Sequence, residues 1–191
     1  MIKIPKKWFF VNEKDINVLK SLNNITNQLG IIFVYKNFSI NEKCTKNIEK
    51  CLKIIRQKKI PFFVLNSLSL TIRSRASGLF VPIKQINQNY YKIIKAKNRN
   101  KRLMIATTVH SEKEIILSKK HRFDITFVSP AYKTNTHKNM VPLHTVKFIY
   151  LCHLTKSNKF ALGGVNEINY NRLKNRYLKG FGGIDYFKKL V

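Results

Sequence analysis

Short runs of β-branched and aromatic residues alternate along this chain with stretches whose apolar residues recur at helical spacing, and this alternation restricts the fold more than any other feature. Trp8 to Val11 reads as a first strand. Ile16, Leu19, Leu22, Ile25 and Leu29 then give a helix from Asp15 to Leu29, with Gly30 as its C-terminal stop. Ile31 to Lys36 is a second strand and Glu42 to Lys59 a second helix. Pro61 to Leu65 is a third strand, Ser67 to Ala76 a short helix, and Gly78 to Val81 a fourth strand that Pro82 ends. The Asn-rich flanks of Ile86 to Lys97 make the next helix short or irregular. RLMIATT (102 to 108) and FDITFV (123 to 128) are the fifth and sixth strands. Leu143 to Leu154 follows as a helix, Lys159 to Leu162 as a seventh strand, Asn166 to Tyr177 as a helix, and then comes GFGGI (180 to 184), with Tyr186 to Leu190 barely one turn.

Eight strands separated by helices at intervals of roughly 20 to 30 residues indicate parallel βαβ units with right-handed crossovers. Eight such units close a barrel, so the expected fold is α/β, a compact (βα)8 TIM barrel in which residues 1–191 form one domain. An open doubly wound sheet is the alternative. Gly163-Gly164 and Gly182-Gly183 after the last two strands favour the barrel, because such folds often hold phosphate there on bare backbone N–H groups.

Between strands five and six, Ser111-Glu112-Lys113-Glu114 forms a capping box, with Ser at the N-cap and Glu at the third helical position. Strand six runs into SPAYKTNTHKN (129 to 139), rich in hydroxyls and cations and free of carboxylates, which suits an anionic ligand such as a phosphate ester. Chemistry is therefore expected at that end of the strands.

The chain carries 37 Lys and Arg against 9 Asp and Glu, a net charge of +28, so a polyanionic partner has to be considered. The basic residues are spread over the whole length among Asn and Ile, as AT-biased codon usage would produce. No zinc-finger, RNP-type or helix-turn-helix pattern accompanies them, and nucleic acid is not expected as a partner. Cys44, Cys51 and Cys152 contain no C-x-x-C pair, which argues against a disulfide framework and structural zinc. They read as buried small apolar residues in a reducing compartment. The apolar run near the N-terminus is too short for a signal-peptide core, and no segment approaches the roughly 20 apolar residues that span a bilayer. A soluble, cytoplasmic protein with no membrane partner is expected.

Four segments resemble the thiamine phosphate synthase and thiazole tautomerase superfamily in order and spacing. ATTVHSEKE (106 to 114) is similar to the family's strand-five G-x-S-x-H-s-x-e-E, and FDITFVSPAYKTNTHK (123 to 138) to a-D-Y-i-x-x-G-P-i-F-x-T-x-T-K. FALGGV (160 to 165) is similar to x-A-I-G-G-I, and GFGGI (180 to 184) to G-a-D-G-I. SGLFVP (77 to 82) falls where the family has its strand-four segment. The resemblance covers most of the chain and implies a barrel that binds a thiazole phosphate and joins it to a pyrimidine diphosphate, forming thiamin phosphate.

By position, the resemblance implies that Thr134 and Thr136 contact the thiazole phosphate, while backbone at Gly163, Gly164, Gly182 and Gly183 completes a phosphate cup. Thr108 stands at the family's strand-five serine and His110 at the motif histidine. The lysine that follows T-x-T is His137 here, with Lys138 one place later. Synthases read Q-x-R-x-K on strand two, N-D after strand three and a carboxylate after strand four, for the pyrimidine diphosphate and its magnesium. Here those places hold Val34-Tyr35-Lys36-Asn37-Phe38, Asn66-Ser67 and Pro82-Ile83-Lys84-Gln85. Lys36 and Asn66 survive, Lys36 and Thr108 being the residues assigned to chemistry. Magnesium is implied by the family, but the carboxylates it prefers are missing from these positions. Two other readings stand beside this one: a phosphate-binding barrel without turnover, and a nucleic-acid binder, which requires a contiguous basic groove instead of dispersed charge.

Overall fold

The computed structural model describes residues 4–22, 28–34, 42–134, 140–173 and 176–190. Eight parallel strands close into a barrel in sequence order, each followed by a helix on the outside. The elements are β1 (Lys7–Val11), α1 (Ile16–Ser21), β2 (Leu29–Phe33), α2 (Glu42–Gln57), β3 (Phe62–Leu65), α3 (Leu68–Arg73), β4 (Gly78–Phe80) and α4 (Ile86–Arg99). They continue with β5 (Met104–Val109), α5 (Glu112–Lys120), β6 (Ile125–Val128), α6 (Thr145–Leu154), β7 (Asn158–Ala161), α7 (Glu167–Leu173), β8 (Leu178–Gly183) and α8 (Asp185–Lys188). Closure comes from pairing of Lys7, Trp8 and Phe9 in β1 with Phe181, Gly182 and Gly183 in β8, which rules out the open sheet. Among the described residues no helix is long and apolar enough to cross a membrane.

Alternation along each strand sorts the core into two layers. Phe9, Ile31, Phe33, Phe62 and Val64 face the helices, where Leu19, Ile48, Cys51 and Ile55 meet them. Trp8, Ile32, Phe63, Phe80, Phe127 and Phe160 fill the barrel interior, with Trp8 edge-on to Phe63 at 5.0 Å and to Phe160 at 6.1 Å. Each such ring contributes roughly 2 to 3 kcal/mol by leaving water. So many rings fit only because other inward positions are glycine: a β-carbon on Gly30 would stand 2.6 Å from the Trp8 ring, and one on Gly182 3.0 Å from both Phe10 and Phe127.

Several boundaries differ from the sequence reading. Leu29 and Gly30 belong to β2, so Gly30 does not stop a helix; it clears space for the indole. The helix expected to be short or irregular is α4, fourteen residues long, anchored by buried Ile86 and Ile93. Gly182 and Gly183 do not follow the last strand but end it, whereas Gly163 and Gly164 turn out of β7 with φ of 87° and 64°. Lys36 of the expected second strand lies outside the described residues, as does part of the expected first helix.

Candidate functional site

At the C-terminal ends of the strands the barrel opens into a cavity of about 840 Å³. Its two sides differ in chemistry. Phe10, Val34, Leu65 and Phe80, from β1 to β4, make an apolar wall and floor. Thr108, His110, Ser129, Lys133, Thr134, Gly163, Gly164 and Asn166, from β5 to β7, make a polar wall.

Strand parity explains the polar wall. In β5, Ala106 packs in the barrel interior, so Thr108, two residues on, also faces inward and lines the cavity. Thr107 faces the other way and donates to the Val81 carbonyl at 2.7 Å. At the start of α5, Ser111 Oγ accepts from the Glu114 N–H, as the capping box requires. Glu114 Oε2, however, accepts from the His110 N–H at 2.6 Å, one residue before the cap. The His110 ring bonds instead to the loop after β6: Nδ1 donates to the Ser129 carbonyl at 2.8 Å, which in the neutral ring leaves Nε2 as the acceptor.

The loops after β6 and β7 are zipped together. Ala131 and Tyr132 N–H groups donate to the carbonyls of Leu162 and Gly163 at 2.8 and 2.9 Å. The Tyr132 hydroxyl donates to Asn169 O at 3.0 Å, and Asn169 Nδ2 donates to Gly164 O at 2.8 Å. Asn166 and Asn169 cap α7 reciprocally, each side-chain oxygen accepting the other's N–H at 2.9 and 2.8 Å. The N–H groups of Gly163 and Gly164 have no partner among the described residues and sit in the cavity lining as bare donors.

Of the residues singled out from sequence, Thr108, Thr134, Gly163, Gly164 and Gly183 come together at this cavity. Asn66 and Gly182 are not in its lining. Asn66 is exposed, holds a left-handed φ of 52°, and donates its N–H to the Phe80 carbonyl at 2.7 Å. Gly182 is packed inside the barrel against Phe10, Phe127 and Leu162. Lys36, Thr136 and Lys138 lie outside the described residues.

Sequence reasoning did not single out Lys133, Asp185, Tyr186 or Lys189, all of which line the cavity. Lys133 directly precedes Thr134, so its neighbourhood in the hydroxyl-rich loop was the available signal. The other three come from the short terminal helix and its C-cap, which have no pattern of their own. Burial, with a hydrogen bond to Glu167, pushes the Tyr186 phenol up to about 12. Hydrogen bonds from Lys7 and Tyr186 hold the Glu167 carboxyl below its ordinary range. Tyr186 therefore stays a protonated donor at neutral pH.

The magnesium implied by the family resemblance needs oxygen ligands, usually including carboxylates. Ser67, after β3, spends its hydroxyl accepting from the Leu70 N–H as the cap of α3. Leu65 and Phe80 present hydrocarbon at the ends of β3 and β4. Asp185 is the carboxylate in the cavity lining, and it follows β8, across the ring from β4. Segments outside the description contain no Asp or Glu between residues 23–27, 35–41, 135–139 and 174–175. This donor set does not fit a magnesium site on the β2 to β4 side.

A family model described as thiamine monophosphate synthase matches residues 10–185. A thiamine-phosphate synthase of Lysinibacillus sphaericus is 24% identical over 122 residues, 63% of this chain and 55% of that protein. One of Prochlorococcus marinus subsp. pastoris is 28% identical over 123 residues, 64% of this chain and 34% of that protein. The match thus spans about half the length of these curated relatives or less. Among solved structures, the thiamine phosphate pyrophosphorylase of Pyrococcus furiosus is similar with a TM-score of 0.66 at 15% identity, covering 96% of this chain and 91% of that one. The 2-keto-3-deoxy-6-phosphogluconate aldolase of Zymomonas mobilis, with 3-phosphoglycerate, gives 0.58 at 11% identity, covering 98% and 89%. At these identities the structures share the fold alone.

Proposed function

This chain belongs to the thiamine monophosphate synthase family, and from that premise we propose that its cavity binds a thiazole phosphate through the β5 to β8 wall and couples it slowly to a pyrimidine diphosphate, with release of diphosphate. The observation that carries this reading is the pairing of bare Gly163 and Gly164 N–H groups with the Thr108 and Thr134 side chains on one wall of the cavity. Backbone donors and hydroxyls can hold a phosphate monoester without a metal. The apolar side, Phe10, Val34, Leu65 and Phe80, suits the ring of such a ligand.

In the coupling, a bond forms from the thiazole nitrogen to the pyrimidine's methylene carbon as the carbon–oxygen bond to diphosphate breaks. The departing diphosphate gathers negative charge, and rate depends on donors aimed at it. Lys133 and Lys189 are cations on the described lining, and Lys36 and Lys138 are further candidates from sequence. The apolar β1 to β4 side favours a second reading, a phosphate-binding barrel without turnover. A cytoplasmic setting is part of the proposal and rests on the family and on the buried thiols of Cys51 and Cys152.

Calorimetry with thiazole phosphate and with pyrimidine diphosphate, each with and without magnesium, beside a turnover assay for thiamin phosphate, tests both readings. Thiazole phosphate should bind without magnesium, and diphosphate should bind weakly with or without it. Measurable slow turnover selects the first reading and none selects the second. Tight magnesium-dependent diphosphate binding with brisk turnover would overturn the assignment of the metal-poor side, and no thiazole-phosphate binding would overturn the first reading.

A further inference from the structure

Cations that are scattered along the sequence are gathered by the barrel. The helices α1 to α7 run back toward the N-terminal ends of the strands, so their last turns and the loops after them land on one face, opposite the cavity. The last turns carry Arg56, Arg73, Lys97, Arg99, Lys119 and Lys120. The loops add Lys59, Arg75, Lys101, Arg102, Arg122 and Lys156. Among the described residues the one carboxylate in those loops is Asp124, and it is already engaged by Lys97 at 2.6 Å and the Ile105 N–H at 2.8 Å. Glu112, Glu114, Glu167 and Asp185, in contrast, stand in helix first turns on the cavity face.

Two details go beyond what favourable helix dipoles would select. Lys59, Arg75 and Arg122 occupy equivalent places just past α2, α3 and α5, and all three hold left-handed φ of 55°, 55° and 51°. Glycine or asparagine is the usual occupant of such a position. A cation stands there three times instead. On the same face a second cavity of about 450 Å³ is lined by Lys156, Lys159, Arg176, Lys179 and Tyr177, with Asp124 as its one carboxylate among the described residues. Lys159 and Arg176 lie over the Tyr177 ring at 5.4 and 5.0 Å from its centre.

We propose that this N-terminal face is a docking surface for the phosphate backbone of a nucleic acid. The density of cation without carboxylate is what such a backbone neutralises, with release of its counterions. Nucleic acid is favoured over a bilayer because the large apolar residues of these loops, Ile60, Leu103 and Phe123, are buried; Ile72, in the last turn of α3, is the exposed exception, while others such as Tyr91, Ile116 and Val146 sit on helices away from their last turns. The proposal is independent of what the catalytic-face cavity binds.

The test is fluorescence anisotropy with a labelled single-stranded RNA across a series of salt concentrations. It compares the unaltered protein, a face variant (Lys101→Gln, Arg102→Gln, Arg122→Asn) and a charge-matched variant on the outer helix surfaces (Lys50→Gln, Lys53→Gln, Lys92→Gln). A second face variant (Lys156→Gln, Lys179→Gln) guards against a folding defect in the first, and thermal melts confirm that all are folded. The face variants should lose about tenfold or more in affinity, and the first should flatten the slope of log K against log salt by about 2, at roughly 0.7 per single-strand phosphate contact. The charge-matched variant should stay within about twofold. Equal losses in the face and charge-matched variants would mean dispersed charge and overturn the proposal. So would failure of the unaltered protein to bind RNA, or retention on phosphatidylserine vesicles that RNA does not compete away.

Discussion

The carbonyl oxygen of Lys133 occupies the space that a β-carbon on Gly164 would take, and Gly164 holds φ at +64°. The loops after β6 and β7 can close on each other only with glycine at this place. Gly164→Ala combines a left-handed alanine with a backbone collision, and should cost about 2 to 3 kcal/mol. By differential scanning calorimetry that is a Tm lower by about 4 to 12 °C for a chain of this size. Gly183→Ala meets nothing closer than the Val165 carbonyl at 3.5 Å, and should change stability by less than about 1 kcal/mol.

Thr108→Val and Thr134→Val remove hydroxyls from the cavity lining while keeping shape. A hydrogen bond to a charged oxygen is worth about 1.5 to 3 kcal/mol, so each change should weaken thiazole-phosphate binding by roughly tenfold to a hundredfold in calorimetry. Thr→Ser at the same places should restore most of the affinity. Unaltered affinity in both valine variants would place the phosphate elsewhere.

The strands were legible because each is a brief β-branched or aromatic run ending in polar residues, and closure followed from their number. Leu29 was misassigned because it continues the helical spacing of Ile25 and Leu22, while its true partner is Lys7 across the sheet. No local pattern could reveal that Gly30 answers to Trp8, since the two meet only once β1 and β2 pair. At the site, Thr108 and Thr134 were found through their motifs. Asp185, Tyr186 and Lys189 were not, because a four-residue helix offers no periodicity and only closure of β8 on β1 brings it to the rim.

His121 is buried against Tyr90, ring centres 4.4 Å apart, and among the described residues neither of its ring nitrogens has a hydrogen-bond partner. Burial, with Lys120 beside it, lowers its pKa below the ordinary 6.5. The unfolded chain therefore takes up the proton first as pH falls, and stability present above about pH 6.5 is lost on acidification through the lowered folded value. Urea titrations from pH 8 to 5 should show this decline, and His121→Phe should reduce it. An unchanged pH dependence in that variant would remove His121 as the cause.

Burial pushes the thiols of Cys51 and Cys152 up to about 12, with the nearby Asp15 and Glu13 carboxylates adding to the effect at Cys51. Thiolate is the reactive form. At pH 8, iodoacetamide should therefore label half-buried Cys44 in the native protein and reach Cys51 and Cys152 only after denaturation. Peptide mass mapping of native and denatured samples gives the answer directly.

The rings of Trp8, Phe63, Phe127 and Phe160 stop the barrel like a cork below the cavity. Among the described residues this leaves the mouth at the C-terminal ends of the strands as the way in and out. Under the coupling proposed above, the reactant seated deeper is expected to arrive first and to be held until the outer product has gone. The plug itself, not any residue that touches the ligands, would set that order, and an initial-rate study with both proposed substrates varied should display it as a compulsory sequence.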